Sequence, residues 1–215
     1  MSESRNILLE NQLNEIHENL DRLAVITLSN LKVLHDRLAT GRIREIVPID
    51  QAAVLANDKC KQTLALHALC ARDLRYAMAA VRVVQDYEHV GQMLEAFHRH
   101  IERCTSSKAA SLLLNFSTTI SAMIDLQDAA RATMLLSDDF DRLHLRVQAL
   151  TAVAEAGLDA IELAVMEIIL KDSARSDDLF ELVLACRNLS QAAALLEAIP
   201  GEFSAFSAVP VSKVA

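Results

Sequence analysis

Glycine and proline are scarce in this chain, with four glycines and three prolines among 215 residues. Folds built from short strands need a turn about every 8 to 12 residues, and these two residue types supply many of those turns. Hydrophobic residues make up 52% of the sequence and charged residues 23%, which is enough apolar material for a buried core. The chain is therefore predicted to be all-α, with long helices and few connections.

Apolar residues recur three and four positions apart along most of the chain, which is the period of a helix with one buried face. Polar breaks and capping residues divide this pattern into six segments. The predicted helices are, in order, one that ends at Gly41, one over 51–69 with Asp50 as N-cap, one over 73–104, one that ends at Leu136, one over 140–170, and one that begins after 176–178 and is stopped by Pro200 and Gly201.

Three helices, a polar break and three further helices indicate an internal duplication. The segment Met93–Phe97 aligns without gaps on Leu195–Ile199, which lies 102 positions later. At the same offset Tyr87 falls on Leu189, so the polarity pattern extends upstream of the match. We predict two three-helix bundles related by this repeat, over residues 1–105 and 106–201, followed by a flexible tail over 202–215.

Charge and aromatic content argue against nucleic-acid binding. The formal net charge is -8, and the sequence holds no tryptophan and only two tyrosines. An acidic surface repels the phosphate backbone, and unpaired bases need aromatic side chains on which to stack. We expect no nucleic-acid partner.

The four cysteines and the termini favour a cytoplasmic protein. No cysteine pair has the spacing of a zinc module or a disulfide framework, so we predict reduced core residues at Cys60, Cys70, Cys104 and Cys186. The first residues lack the apolar core of a secretory signal. The long apolar stretch over 149–170 carries four carboxylates, so we expect no direct membrane insertion.

Two motifs of the third predicted helix carry a resemblance to a known family. Residues 71–76 read ARDLRY, and residues 86–92 read DYEHVGQ. This resembles PhoU, the phosphate-uptake regulator family, whose third helix reads approximately P-x-A-x-D-L-R and then, about a dozen residues later, D-L-E-R-I-G-D. The chain keeps the spacing and the residues Ala71, Asp73, Leu74, Arg75, Asp86, Glu88 and Gly91, but it has Leu69 for proline, His89 for arginine and Gln92 for the last aspartate.

The resemblance implies a six-helix PhoU-like fold and a cytoplasmic, non-enzymatic regulator of phosphate uptake and phosphate signalling. It also implies a protein partner, either a membrane phosphate transporter or its sensor kinase. The residues themselves add one expectation, because a helical bundle with 52% hydrophobic residues often buries one face against a second copy. We therefore expect a homodimer.

The E-x-x-x-D positions of each PhoU repeat are implied ligands for iron or other transition metals. Two carboxylates at i and i+4 lie on one helical face, and oxygen ligands suit such ions or Mg²⁺. Here the first repeat offers Glu88 and Gln92, while the second offers Ser190 and Ala194, which lack carboxylates. No cofactor is required by the sequence, and one residual metal site is predicted at Asp86, Glu88, Gln92 and Glu95. The alternative is an acidic face exposed to solvent.

Three further residues of the motifs have predicted structural or partner roles. A glycine inside a helix costs about 1 kcal/mol relative to alanine, so Gly91 is expected to allow a close approach by another helix. Asp73 is predicted to cap the third helix, and Arg75 to reach a carboxylate on a neighbouring element.

A di-iron oxidase of the ferritin type is the enzymatic alternative. Such bundles use a carboxylate-x-x-His motif on each of two helices, a spacing found at Glu95 with His98 and at Asp141 with His144. Asp141 stands at the start of a predicted helix, where an acidic residue commonly compensates the helix dipole. No phosphate-binding loop or nucleophile motif is present in the sequence.

Overall fold

The computed structural model describes residues 2–66, 69–104, 107–135, 139–171 and 177–207. These residues form six α-helices joined by short connections, which confirms the predicted all-α class. In chain order the helices are α1 (Ser2–Thr40), α2 (Asp50–Leu66), α3 (Ala71–Arg103), α4 (Ser107–Leu135), α5 (Phe140–Lys171) and α6 (Asp177–Ser207).

Most predicted helix boundaries hold, but those at Asp50, Leu69, Asp73 and Pro200 are wrong, and the predicted end at Leu136 lies outside the described residues. The Ile49 carbonyl accepts the first helical bond of α2, so Asp50 is the first helical residue rather than the N-cap. The helix α3 begins at Ala71 behind Cys70, which places Asp73 inside the first turn. Pro200 lies within α6, and the helix continues to Ser207. The predicted tail is therefore helical over 202–207, and 208–215 lie outside the described residues.

The end of α1 follows the expected glycine geometry. Gly41 has a φ of 72°, a left-handed conformation that glycine adopts without a steric penalty. Its N–H donates to the Arg37 carbonyl at 2.8 Å, which satisfies one of the free carbonyls of the last turn.

The helices α3 and α6 form the central seam of the bundle and carry the same buried pattern. Of the eleven buried residues of α3, ten have a buried counterpart in α6 at an offset of 102 residues. The α3 residues are Ala77, Ala80, Val83, Val84, Tyr87, Val90, Gly91, Leu94, Phe97 and Ile101, and their counterparts run from Leu179 to Phe203. The five-residue match in the sequence is therefore part of a repeat that extends over the whole helix.

Equivalent helices of the two repeats pack against each other. The most extensive helix pair is α3 with α6, and α1 packs along α4, while α2 and α5 lie at the outer edges. The seam is antiparallel, because Arg82 of α3 pairs with Glu202 near the end of α6 at 3.1 Å. At the other end His100 Nδ1 lies 2.5 Å from the Glu181 carboxylate at the start of α6.

A buried hydrogen-bond network ties the two repeats together at α1, α3 and α4. The Gln127 side-chain amide donates to the Ala24 carbonyl at 3.0 Å and to the Tyr87 hydroxyl at 3.2 Å. Gln127 and Tyr87 are fully buried, so the Tyr87 hydroxyl obtains a polar partner inside the core from Gln127. On the edge of this network Arg131 binds the Asp21 carboxylate through two bonds of 2.6 and 3.1 Å.

The connection between α1 and α2 is fixed by two contacts. The buried Asn30 side chain donates to the Val47 carbonyl and accepts from the Val47 N–H, both at 2.9 Å. Two residues later, Ile49 packs directly on Gly91 of α3. A Cβ on Gly91 would lie 2.3 Å from the Ile49 Cγ2 atom, so the expected close approach at Gly91 is found. The approaching group is the residue before α2.

We expect Gly91→Ala to destabilise the protein by about 1–3 kcal/mol, because the added methyl displaces Ile49 from a packed position. Gly201→Ala is the matched control, since a Cβ there meets no atom within 4 Å and the residue is helical. Alanine at 201 should stabilise the protein by up to about 1 kcal/mol through helix propensity. Urea unfolding followed by circular dichroism measures both changes, and equal gains in the two variants would contradict the close approach.

Candidate functional site

A groove of about 440 Å³ lies between the outer surfaces of α3 and α6. Its lining residues are related by the internal repeat, since His89 and Met93 of α3 correspond to Gln191 and Leu195 of α6 at the offset of 102. The groove therefore lies on the approximate symmetry axis of the molecule. Its walls are mainly apolar, and Ala194 completes them. Several of these residues were selected from the sequence for other reasons, but a groove was not predicted there.

The predicted metal residues do not share one side of α3. Glu88, Gln92 and Glu95 follow one another at i+4 and i+3, so they lie on one helical face. Asp86 precedes Glu88 by two residues, which places it about 160° away around the helix axis. Asp86 lies on the side that faces Glu202 and Arg82, so the structure separates it from the other three.

The residues at this face do not reproduce the ligand set implied by the PhoU resemblance. Within the described residues, no three His, Cys, Asp or Glu side chains are close enough together to hold a metal ion. The second-repeat positions are the exposed Ser190 and Ala194, and Ala194 lines the groove. A residual site that uses Glu88 and Gln92 stays a prediction.

Asp86 has an unusual electrostatic environment for a carboxylate near the surface. Partial burial raises the pKa of Asp86, and the nearby Glu202 carboxylate raises it further, while His89 and Arg82 oppose the shift. Arg82 already pairs with Glu202 at 3.1 Å. Arg82 therefore interacts with two carboxylates, those of Glu202 and Asp86, at this end of the α3–α6 seam.

The first motif forms an exposed surface at the start of α3, which we call the α3 entry surface and define as Arg72, Leu74, Arg75 and Met78. All four side chains are exposed. The predicted ion pair of Arg75 with a neighbouring element is not found among the described residues, and Arg72 likewise has no ion pair there. The surface therefore combines two cationic groups, unpaired among the described residues, with two apolar side chains.

Asp73 lies beside this surface and takes part in the helix start. Cys70 is the N-cap residue of α3, and its thiol donates to the Asp73 carboxylate at 3.0 Å. An acidic residue in the first turn also interacts favourably with the helix dipole. Asp73 thus supports the start of α3, but it does so from the first turn and without capping a backbone N–H.

The histidines of the di-iron alternative have other partners. The Arg37 guanidinium lies 3.0 Å from His98 Nδ1 and 3.2 Å from Glu102, and burial together with Arg37 lowers the pKa of His98. His144 stacks on Phe140 with ring centroids 5.8 Å apart. The described residues therefore offer the di-iron alternative no ligand cluster.

The cysteines divide into buried and exposed groups. Burial raises the pKa of Cys60 to about 11 and that of Cys186 to about 12, so both are thiols at neutral pH, as expected for reduced core residues. Cys104 is half-buried. Cys70 is exposed at the start of α3, so the prediction of a core position is wrong for this residue.

The helix α6 is apolar enough over residues 177–204 to cross a bilayer by length and composition alone. In the fold it packs on α3, α4 and α5. Its buried residues repeat those of α3, which is the pattern of a core helix in a bundle.

Comparison with solved structures identifies a similar fold. The crystal structure of PhoU from Pseudomonas aeruginosa superposes with a TM-score of 0.51 over 94% of this chain and 96% of that chain, at 13% sequence identity. The chain therefore has a PhoU-like fold, as the motifs of α3 implied. No protein-family model and no curated protein matches the sequence.

The predicted metal site at Glu88 and Gln92 can be tested by measuring metal content. Glu88 and Gln92 together supply few ligands, whereas Mg²⁺ takes six, so water must complete the shell and binding should be weak. We expect one weakly bound divalent ion per chain, lost on Glu88→Ala and retained on Glu45→Ala, which removes an exposed carboxylate from another segment. Elemental analysis of untagged protein measures the metal content, and metal-free wild type would refute the site.

The position of Asp86 predicts a pH-dependent effect on stability. The pKa of Asp86 is higher in the folded protein than in the unfolded chain, where it is about 3.9. The folded protein therefore loses stability as the pH rises above this unfolded value and Asp86 ionises. Asp86→Asn should therefore raise the Tm at pH 7 and leave it nearly unchanged at pH 3, where Asp86 is mostly protonated in both the folded and the unfolded chain. Thermal unfolding at the two pH values checks this, with Asp125→Asn on the exposed side of α4 as control. A gain at pH 3 as large as at pH 7 would contradict the electrostatic cause.

Proposed function

We propose that this protein is a non-enzymatic cytoplasmic regulator of phosphate uptake, which acts by binding a membrane phosphate transporter or its sensor kinase. The observation that carries the proposal is the PhoU-like fold, shared over 94% of this chain and 96% of the solved PhoU structure. The two motifs of α3 support it further, because seven of their residues match PhoU at the PhoU spacing, although Leu69, His89 and Gln92 differ.

The α3 entry surface is the site that we assign to the partner. Arg72 and Arg75 are cationic groups without an ion pair among the described residues, and Leu74 and Met78 are 41% and 49% exposed beside them. Arginine and methionine are both enriched in protein interfaces relative to the rest of the protein surface. A partner with an acidic surface around an apolar centre would match this arrangement.

The regulatory role is tested by deleting the gene in the source organism and measuring phosphate uptake and the phosphate-starvation response at high phosphate. We expect the deletion to disturb the regulation of phosphate uptake and of the starvation response, and expression of the wild-type chain to restore both. A deletion strain with unchanged uptake and response would overturn the proposed function.

The partner surface is tested in the same strain with Arg75→Glu, which should fail to restore regulation and should not co-purify with the transporter or kinase. Arg99→Glu makes the same change on an exposed residue of α3 about 36 Å away, and it should behave as wild type. Circular dichroism confirms that both variants fold. Equal activity of the two variants would place the partner on another surface, while the deletion result would still stand.

A further inference from the structure

The helix α5 packs on the bundle with only one of its sides. Its inner face contacts α4 and α6 through buried residues spaced three and four positions apart, namely Val147, Thr151, Ala154, Leu158, Ile161 and Val165. A second series with the same spacing is displaced by two residues, which is about 200° around the helix. Its members are all exposed, and we call them the α5 outer stripe: Leu145, Ala149, Ala152, Ala156, Asp159, Leu163, Met166 and Leu170.

The α5 outer stripe exposes apolar side chains that a surface helix normally buries. Leu163 is 67% exposed, Met166 is 50% exposed and Leu170 is 86% exposed. A helix on the outside of a bundle usually has polar residues on its outward face. The spacing of three and four positions is the one by which a helix packs along a second helix. The stripe therefore has the composition and the period of a surface that another helix covers.

The segment that carries the stripe is acidic. Residues 147–170 include no lysine, arginine or histidine, and their four carboxylates are all exposed, namely those of Glu155, Asp159, Glu162 and Glu167. Glu167 pairs with Lys171 at 3.2 Å. The other three carboxylates have no ion pair among the described residues. The charge of this surface therefore matches a partner that brings lysine or arginine side chains.

The carboxylates border the stripe and also interrupt it. Glu155 and Glu162 are seven residues apart and follow one edge of the stripe, while Glu167 lies along the other edge. Asp159 is a member of the stripe itself. A helix that covers the stripe would bury this carboxylate, and a buried charge is costly unless it is paired. The partner should therefore carry a cation within its apolar face, at the level of Asp159.

A second copy of this chain does not supply these cations. One antiparallel register of two α5 helices brings Arg146 of one copy to Glu167 of the other. The same register sets Glu155 beside Glu162, so the attraction is offset by repulsion. No cation reaches Asp159 in it, because residues 147–170 have none. An anionic membrane surface would repel the same carboxylates. The charges favour a different protein as the partner.

We propose that the α5 outer stripe binds a basic amphipathic helix of another protein. The apolar face of that helix covers Leu163 and Leu170, and one lysine or arginine within this face pairs with Asp159. Further cations on its flank reach Glu155 and Glu162. The inference goes beyond the proposed regulatory function and does not depend on it, because the α3 entry surface is cationic and lies on another helix.

Fluorescence anisotropy of a labelled synthetic peptide, titrated with the full chain, tests the site. The peptide is a helix of about 22 residues, or about 33 Å, which is the length of the stripe over 149–170. It has leucine on the face toward the stripe, lysine on both flanks and one lysine in the middle of the leucine face.

The peptide should bind the wild type, and the double variant Glu155→Lys with Glu162→Lys should raise the dissociation constant about tenfold or more, because it replaces attraction by repulsion. The matched control is Glu10→Lys with Glu18→Lys, which makes the same change of charge on exposed residues of α1. The control should change the dissociation constant less than about twofold, because exposed charges far from the bound peptide are screened.

Asp159→Leu distinguishes a helix seated on the stripe from a general attraction between opposite charges. It should weaken binding of the first peptide, whose central lysine loses its partner, and strengthen binding of a second peptide that has leucine at that position. Circular dichroism confirms that the variants fold.

Four results would overturn the proposal. They are a wild type that does not bind the first peptide, equal weakening by the α1 control, a peptide preference that Asp159→Leu leaves unchanged, and a wild-type dimer in sedimentation velocity that Leu163→Glu dissociates. In the last case a second copy would occupy the stripe.

Discussion

The antiparallel packing of α3 on α6 is the contact on which the rest of the structure depends. Ten residue pairs at one sequence offset are buried in both helices, so the two repeats meet through equivalent surfaces. The other helices take their places around this seam. Ile49, which precedes α2, packs on Gly91, and the Tyr87 hydroxyl accepts a hydrogen bond from Gln127 of α4. A change of register in the seam would displace all of these contacts together.

The fold could be predicted from the sequence because the scarcity of turn residues and the helical period act over long segments. The predicted end of the first helix at Gly41 was correct for the same reason. Local rules failed where tertiary packing opposed them. Pro200 does not end α6, because that segment continues along the seam, where Ile199 and Phe203 are buried.

The candidate site could be predicted only in part, because side-chain partners depend on which elements meet. The close approach at Gly91 followed from the cost of a glycine inside a helix. Nothing in the local sequence shows that Asp86 faces Glu202, or that Arg75 lacks an ion pair among the described residues. The groove between α3 and α6 was also missed, because its lining residues come from two helices about a hundred positions apart in the sequence.

The pairing of equivalent helices also governs how the chain can fold. The contacts of α1 with α4 and of α3 with α6 join residues about a hundred positions apart, so closing them costs loop entropy before they contribute stability. Either repeat alone would leave two apolar helix faces in water. At a synthesis rate of about 5–20 residues per second, the first repeat must wait at least several seconds for its partner to emerge from the ribosome. During that interval its exposed seam is the surface most in need of a chaperone.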